Sequence, residues 1–309
     1  MGLHSVEKKH LSAKGLLHKV HHTFEKIPQP PRDTRGLKPG ISLADCIMSG
    51  LAIFGLKLPS LLQFDLEQDE ETGRHNLKTL YNVGTAPCDT YMRERLDEVD
   101  PQHLRSAFTE IFSMIQRGKV LESYRFLNDY FLIACDGTGL FSSEKVMCDN
   151  CCQKNHKDGR ITYYHQMLAG VLVHPDHGEV FPFCPEPISK SDGSTKNDCE
   201  QNAMKRFLQD FRREHPHLKA IFTYDALSAN GPSIQRIKES GSHFIIGVKP
   251  DGNKSLFEWL EGIKLENHEV KTKTETLQFR FCNNLPLNDA HADMAVNFLS
   301  ALSETRKEK

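Results

Sequence analysis

Apolar positions recur every three or four residues between residues 40 and 118, which predicts helices. Ser42, followed three residues later by Asp45, is a capping-box pattern that opens the apolar run 43–56. A second short helix is expected after Pro59, and residues 82–86 read as a turn. Pro87 suits the first turn of a helix through Tyr91, Met92 and Leu96, and Pro101 opens another in which Leu104, Phe108, Ile111, Phe112 and Ile115 share a face. These patterns predict an all-helical domain over 40–125. Helical periodicity reports a core, and such a bundle is also able to present a helix to a DNA groove.

Beyond residue 118 the period changes. Residues 129–135 form a continuous apolar run of strand length that ends at Asp136-Gly137. A second strand is expected over 162–173, a turn at 175–178 and a third strand over 179–184, together an antiparallel meander. Thr195 with Asp198 then gives a capping pattern for a long helix, in which Ala203, Phe207 and Phe211 repeat every four residues until Pro216. A strand over 219–224 ends on Asp225, a helix starts at 230–233 and closes at Ser240-Gly241, and a fifth strand spans 243–248. Three strands, helix, strand, helix, strand is the order of elements in ribonuclease H-like domains. The expected fold class is therefore α/β, a ribonuclease H-like mixed sheet with flanking helices over 126–250. An all-helical N-terminal domain precedes it, and a partial β-rich insertion over 251–309 follows.

Composition narrows the classes. A chain of 309 residues that is 38% hydrophobic and 26% charged can bury a core, is not intrinsically disordered, and has the length of roughly two domains. No apolar run approaches the roughly 20 residues of a spanning helix. The best stretch, 51–62, is broken by Lys57 and Pro59, so no membrane partner is expected. The N-terminus is basic but lacks an apolar segment followed by a small-residue cleavage site, and a cytoplasmic location is expected. A net charge of -2 gives no global reason for a polyanionic partner. The charge is uneven, however. Over 1–39 the bases Lys8, Lys9, Lys14, Lys19, Lys26, Arg32, Arg35 and Lys38 outnumber the acids Glu7, Glu25 and Asp33, which reads as a basic flexible arm, either a solvated tail or a phosphate contact.

The candidate chemistry lies in the acids and the thiols. In a ribonuclease H-like order the first and fourth strands are parallel neighbours, so Asp136 and Asp225 would face one another. Two close carboxylates repel unless a cation sits between them, and Mg²⁺ or Mn²⁺ bound to such acids suits phosphodiester cleavage or strand transfer. Each Asp alone also reads as a turn residue at a strand end. Lys249, at the end of the fifth strand, would lie on the same edge, either as a phosphate contact or as an exposed strand-end lysine. The nine cysteines are odd in number and suit reduced thiols or a metal better than a disulfide framework. Cys148, Cys151, Cys152 and His156 have C-x2-C spacing with a third thiol and an imidazole nearby, a donor set for zinc or a group of free loop thiols. Cys135, Cys184 and Cys199 read as core thiols, His165 and His174 as structural, and Phe257 and Trp259 as core residues.

The stretches IACDGTGLFSSEKVMCDNCC, YYHQMLAGVLVHPD, DGSTKNDCEQNAMKRFLQDFRREHPHLK, YDALSANGPSI and FIIGVKPDGNKSLFEW resemble the DDE transposases of bacterial insertion sequences, in the insertion-sequence-four-like group. RHNLKTLYNVGTAPCDTYMRERLDEVDP resembles the helical segment before the catalytic domain in those proteins. The resemblance implies that Asp136 and Asp225 are the first and second acids of a catalytic triad. It also implies Mg²⁺-dependent hydrolysis at transposon ends, strand transfer into double-stranded target DNA, and a homodimer on DNA. The family takes its third acid from a glutamate on a late helix beyond a β-rich insertion. Residues 275–281 and LPLNDAHADMAVNFL resemble insertion strands and their connector, but Glu304 and Glu308 lack the family's helical placement of flanking Tyr, Arg and Lys, so the chain reads as C-terminally truncated and impaired in full transposition. Two other functions fit the same residues: a catalytically inactive DNA-binding regulator, and a stand-alone metal-dependent nuclease.

Overall fold

The computed structural model describes residues 11–28, 40–190, 197–272 and 274–305. The chain divides into two compact units, one made of Met1–Asp129 with Ala169–Pro187 and the other of Tyr130–Leu168 with Ile188–Lys309. The helices are α1 (Ala13–Phe24), α2 (Leu43–Gly55), α3 (Leu61–Asp69), α4 (Glu71–Thr79), α5 (Asp89–Asp97), α6 (Arg105–Arg117), α7 (Glu200–Glu214), α8 (Gly231–Glu239) and α9 (Lys254–Glu261). The strands are β1 (Arg125–Phe126), β2 (Tyr130–Ser143), β3 (Cys152–Asn155), β4 (Ile161–His174), β5 (His177–Pro182), β6 (Glu186–Ile188), β7 (Ala220–Tyr224), β8 (His243–Ile246), β9 (Glu266–Lys271), β10 (Glu275–Pro286) and β11 (Ala295–Thr305).

In the first unit α1 to α6 enclose an apolar core that includes Leu43, Met48, Phe64, Leu77 and Met92. The Ser42 hydroxyl caps α2 by accepting the Asp45 backbone N–H at 3.0 Å. Asp45 does not return the bond of a capping box; its carboxylate accepts the Gly84 and Thr85 backbone N–H groups at 3.0 and 3.4 Å, tying α2 to the turn before α5. The expectation of a flexible arm over 1–39 is corrected for part of its length. Leu17, Val20 and Phe24 form a stripe on α1, and Val20, Phe24 and Ile27 are buried in the helical core. Lys8, Lys9, Arg32, Arg35 and Lys38 lie outside the described residues. This unit also takes in the end of β4 and the β5 hairpin, where Phe183 packs on Phe112 at 5.5 Å and Tyr124 stacks on His177 at 4.8 Å.

In the second unit the strands run in the order β3-β4-β2-β7-β8, with β2 central. β2 pairs with β7 in parallel from Phe131↔Ala220 to Ala134↔Thr223, and β7 pairs with β8 in parallel from Ile221↔His243 to Tyr224↔Ile246. α7 covers this sheet with Ala203, Met204, Phe207, Leu208 and Phe211, and the Phe211 ring meets Phe222 of β7 edge-on at 5.2 Å. Three expected boundaries are corrected. β2 does not end at Asp136 but continues to Ser143, and β8 stops at Ile246. α7 starts at Glu200 after Cys199, and Thr195, the expected cap, lies outside the described residues. Asp198 instead accepts the Cys199 backbone N–H and an Arg206 N–H.

β9, β10 and β11 form an antiparallel sheet of three strands. A register shift between Cys282 and Leu285 places Asn284 at φ 58°, a left-handed position that Asn tolerates at a bulge. Leu287, Met294 and Val296 pack with Ile234, Phe244 and Ile246, so the segment read as a separate insertion shares a core with α8 and β8. Among the described residues no helix is long and apolar enough to cross a membrane.

Candidate acidic active site and a thiol-imidazole cluster

Asp136 lies two residues past Ala134 on β2, and Asp225 lies two residues past Thr223 at the end of β7. Carrying the Ala134↔Thr223 register forward puts the two aspartates level on adjacent strands, whose spacing is about 4.8 Å. Residues at the same level on parallel neighbours point to the same face. The Asp225 carboxylate caps the short 3₁₀ turn Ala226–Ser228 by accepting the Leu227 backbone N–H at 3.0 Å, and the Asp136 carboxylate accepts the Gly137 N–H at 2.9 Å.

A third carboxylate, missed in the sequence, joins them. Glu200 opens α7, and its side chain lies so close to the Gly137 backbone that a Cβ there would run into the carboxylate. Burial pushes the Glu200 carboxyl above the usual carboxylate range, and the charges of Asp225 and Asp136 push it further the same way. Among the described residues no Lys or Arg forms an ion pair with any of the three acids. Acidic residues are ordinary in the first turn of a helix, where the dipole favours them, and that is why Glu200 carries no distinctive sequence signal. Lys249 lies past β8 rather than at its end. It is exposed, its carbonyl accepts the Gly252 and Asn253 N–H groups, and it stands beyond the same sheet edge as Asp136 and Asp225.

The thiols are rearranged relative to the sequence expectation. Cys148 Sγ and Cys151 Sγ are 3.6 Å apart, and His165 Nε2 lies 3.2 Å from the first and 3.3 Å from the second. Among the described residues these are the three side chains whose soft or hard ligand atoms all fall within 4.8 Å of one another; the three carboxylates are more widely spread. Cys152 and His156 are not part of this group. Cys152 begins β3, so its side chain alternates away from Cys151, is buried, and bonds the Ile188 carbonyl at 3.7 Å. His156 pairs with the Thr162 hydroxyl at 2.7 Å. Of the expected core thiols, Cys135 and Cys184 are buried and Cys199 is exposed. Burial pushes the Cys135 thiol up to about 12, which keeps it protonated beside the acids. Phe257 and Trp259 are half-buried, and Phe257 meets Phe298 edge-on at 6.0 Å.

No family model matches the sequence, and no curated protein matches it. Among solved structures the chain is similar to the piggyBac transposase in a cryo-EM synaptic complex with hairpin DNA, at 10% identity and a TM-score of 0.32. The alignment covers 90% of this chain and 58% of that one, so this chain spans less than two thirds of its length. A likeness at that level carries no argument about activity.

Proposed function

We propose that this chain cleaves or transfers phosphodiester bonds in double-stranded DNA, as a transposase of the DDE type with a ribonuclease H-like sheet. The observation that carries this reading is the convergence of Asp136, Asp225 and Glu200 at one end of a central parallel strand pair. Three carboxylates with no ion-paired Lys or Arg among the described residues, two of whose charges oppose the ionisation of Glu200, fit a hard divalent cation such as Mg²⁺ or Mn²⁺. Asp136 and Asp225 would hold it, with Glu200 completing the donor set. The ion would supply charge stabilisation of the attacking and leaving oxygens. Lys249, exposed beyond the same edge, would hold a DNA phosphate and set the register of the duplex. The alternative of an inactive DNA-binding descendant rests on the absence of the family's late helix, and a nicking assay decides between the two readings.

The test is nicking of a labelled duplex that carries the flanking inverted repeat, with Mg²⁺ or Mn²⁺ added to the purified chain. Asp136→Asn, Asp225→Asn and Glu200→Gln are each expected to lower the rate by about a hundredfold or more. Nicking that persists in Asp136→Asn, or that needs no divalent ion, would overturn the assignment.

A further inference from the structure

We propose that Cys148, Cys151 and His165 form a zinc site that staples the connection between β2 and β3 onto β4. The proposal stands on its own geometry and does not depend on the acidic site. With Zn–S near 2.3 Å and Zn–N near 2.0–2.1 Å, tetrahedral ligation requires sulfurs about 3.8 Å apart and sulfur–nitrogen separations of about 3.5 Å. The observed separations are 3.6 Å between the sulfurs and 3.2 and 3.3 Å from sulfur to His165 Nε2. A disulfide would need about 2.05 Å, so the thiols are not bridged.

Local structure explains how the three groups meet. The Cys151 N–H donates to the Cys148 carbonyl at 3.1 Å, closing a turn that brings both thiols to one side. The Cys148 N–H donates to Cys151 Sγ at 3.3 Å and holds the two residues of the turn together. β3 pairs with β4 through Cys152↔Tyr164, so the register carried one residue back sets Cys151 opposite His165. Residues 144–150 are all exposed, and their apolar members Val146 and Met147 pack on no core. The chain here lacks the burial that would order it, and three metal bonds would replace it.

Two soft thiolates and an imidazole select zinc over Mg²⁺, so the two sites would not compete for one metal. Zinc takes thiolate and neutral imidazole ligands, so its binding releases protons and occupancy is expected to fall as the pH drops. The fourth tetrahedral position is left to water.

The 309-residue chain purified without chelator is expected to carry about one zinc per chain by elemental analysis. Replacement by Co²⁺ is expected to produce a thiolate-to-cobalt charge-transfer band in the near ultraviolet. Cys148→Ser, Cys151→Ser and His165→Ala should lose the metal, whereas His156→Ala and the conservative His165→Cys should keep it. If the serine variants fail to fold, the cobalt spectrum of the unaltered chain and the His165→Cys variant still decide the matter. Absence of both zinc and the cobalt band in the unaltered chain overturns the proposal. So does zinc that survives in His165→Ala and disappears in His156→Ala.

Discussion

Glu186 keeps 1% of its side chain exposed, and its charge is met by Arg105, whose own side chain is 10% exposed. A buried pair adds little net stability, but removing Arg105 takes away the cation that meets the buried Glu186 charge. Arg105→Met is therefore expected to destabilise the chain by about 3–5 kcal/mol, read as a lowered urea midpoint, and a change below about 1 kcal/mol would contradict this account. His215 gives a pH dependence of known sign. Burial, and then the Arg212 guanidinium, push its imidazole from 6.5 down to about 4. The folded chain holds it neutral while the unfolded chain takes up a proton below about 6.5, so stability falls as the pH drops from about 6.5 to about 4. The loss attributable to this residue is about 3 kcal/mol, and in His215→Gln the acid limb of a urea-midpoint profile should flatten across that window. A profile of unchanged slope would remove His215 as the cause.

Pairings between elements decide which side chains meet. β2 was readable as a strand because 130–135 is apolar without interruption, and Asp136 stood out where that run ended. Its true end at Ser143 was not readable, because the exposed half of β2 has no burial pattern. Glu200 comes near Asp136 through the docking of the first turn of α7 against Gly137, a contact between positions more than sixty residues apart. That contact makes a sharp prediction. In Gly137→Ala the new methyl would displace the end of a flexible Glu200 side chain, so divalent-dependent nicking should fall at least about tenfold while the thermal midpoint moves by only a few degrees. Equal losses of stability and activity would mean that Gly137 serves the fold and not the carboxylate. The C-x2-C spacing was equally visible, yet its partner was not: His156 is nearer in sequence, and the antiparallel register of β3 and β4 brings His165 instead.

For the molecule as a whole, the helical unit is not continuous in sequence. It needs Ala169–Pro187, which supplies Glu186 to Arg105, Phe183 to Phe112, and His177 and Phe181 to Tyr124. A fragment of residues 1–129 should therefore unfold with a shallow, non-cooperative urea transition, and a sharp transition at the midpoint of the intact chain would show that the returning segment is dispensable. Local periodicity was enough to read α2, α3, α5 and α6 of that unit and, beyond it, α7, α8 and the strands β2, β4, β5, β7 and β8, though not α1, α4, β3 or β6, because spacing of 2 or 3.6 residues is a property of the chain itself. Assignment of Ala169–Pro187 to the helical unit, of Glu200 to the aspartates and of His165 to the thiols required the folded chain. Each depends on a contact between distant segments, and neighbouring residues carry no record of which distant surface they will meet.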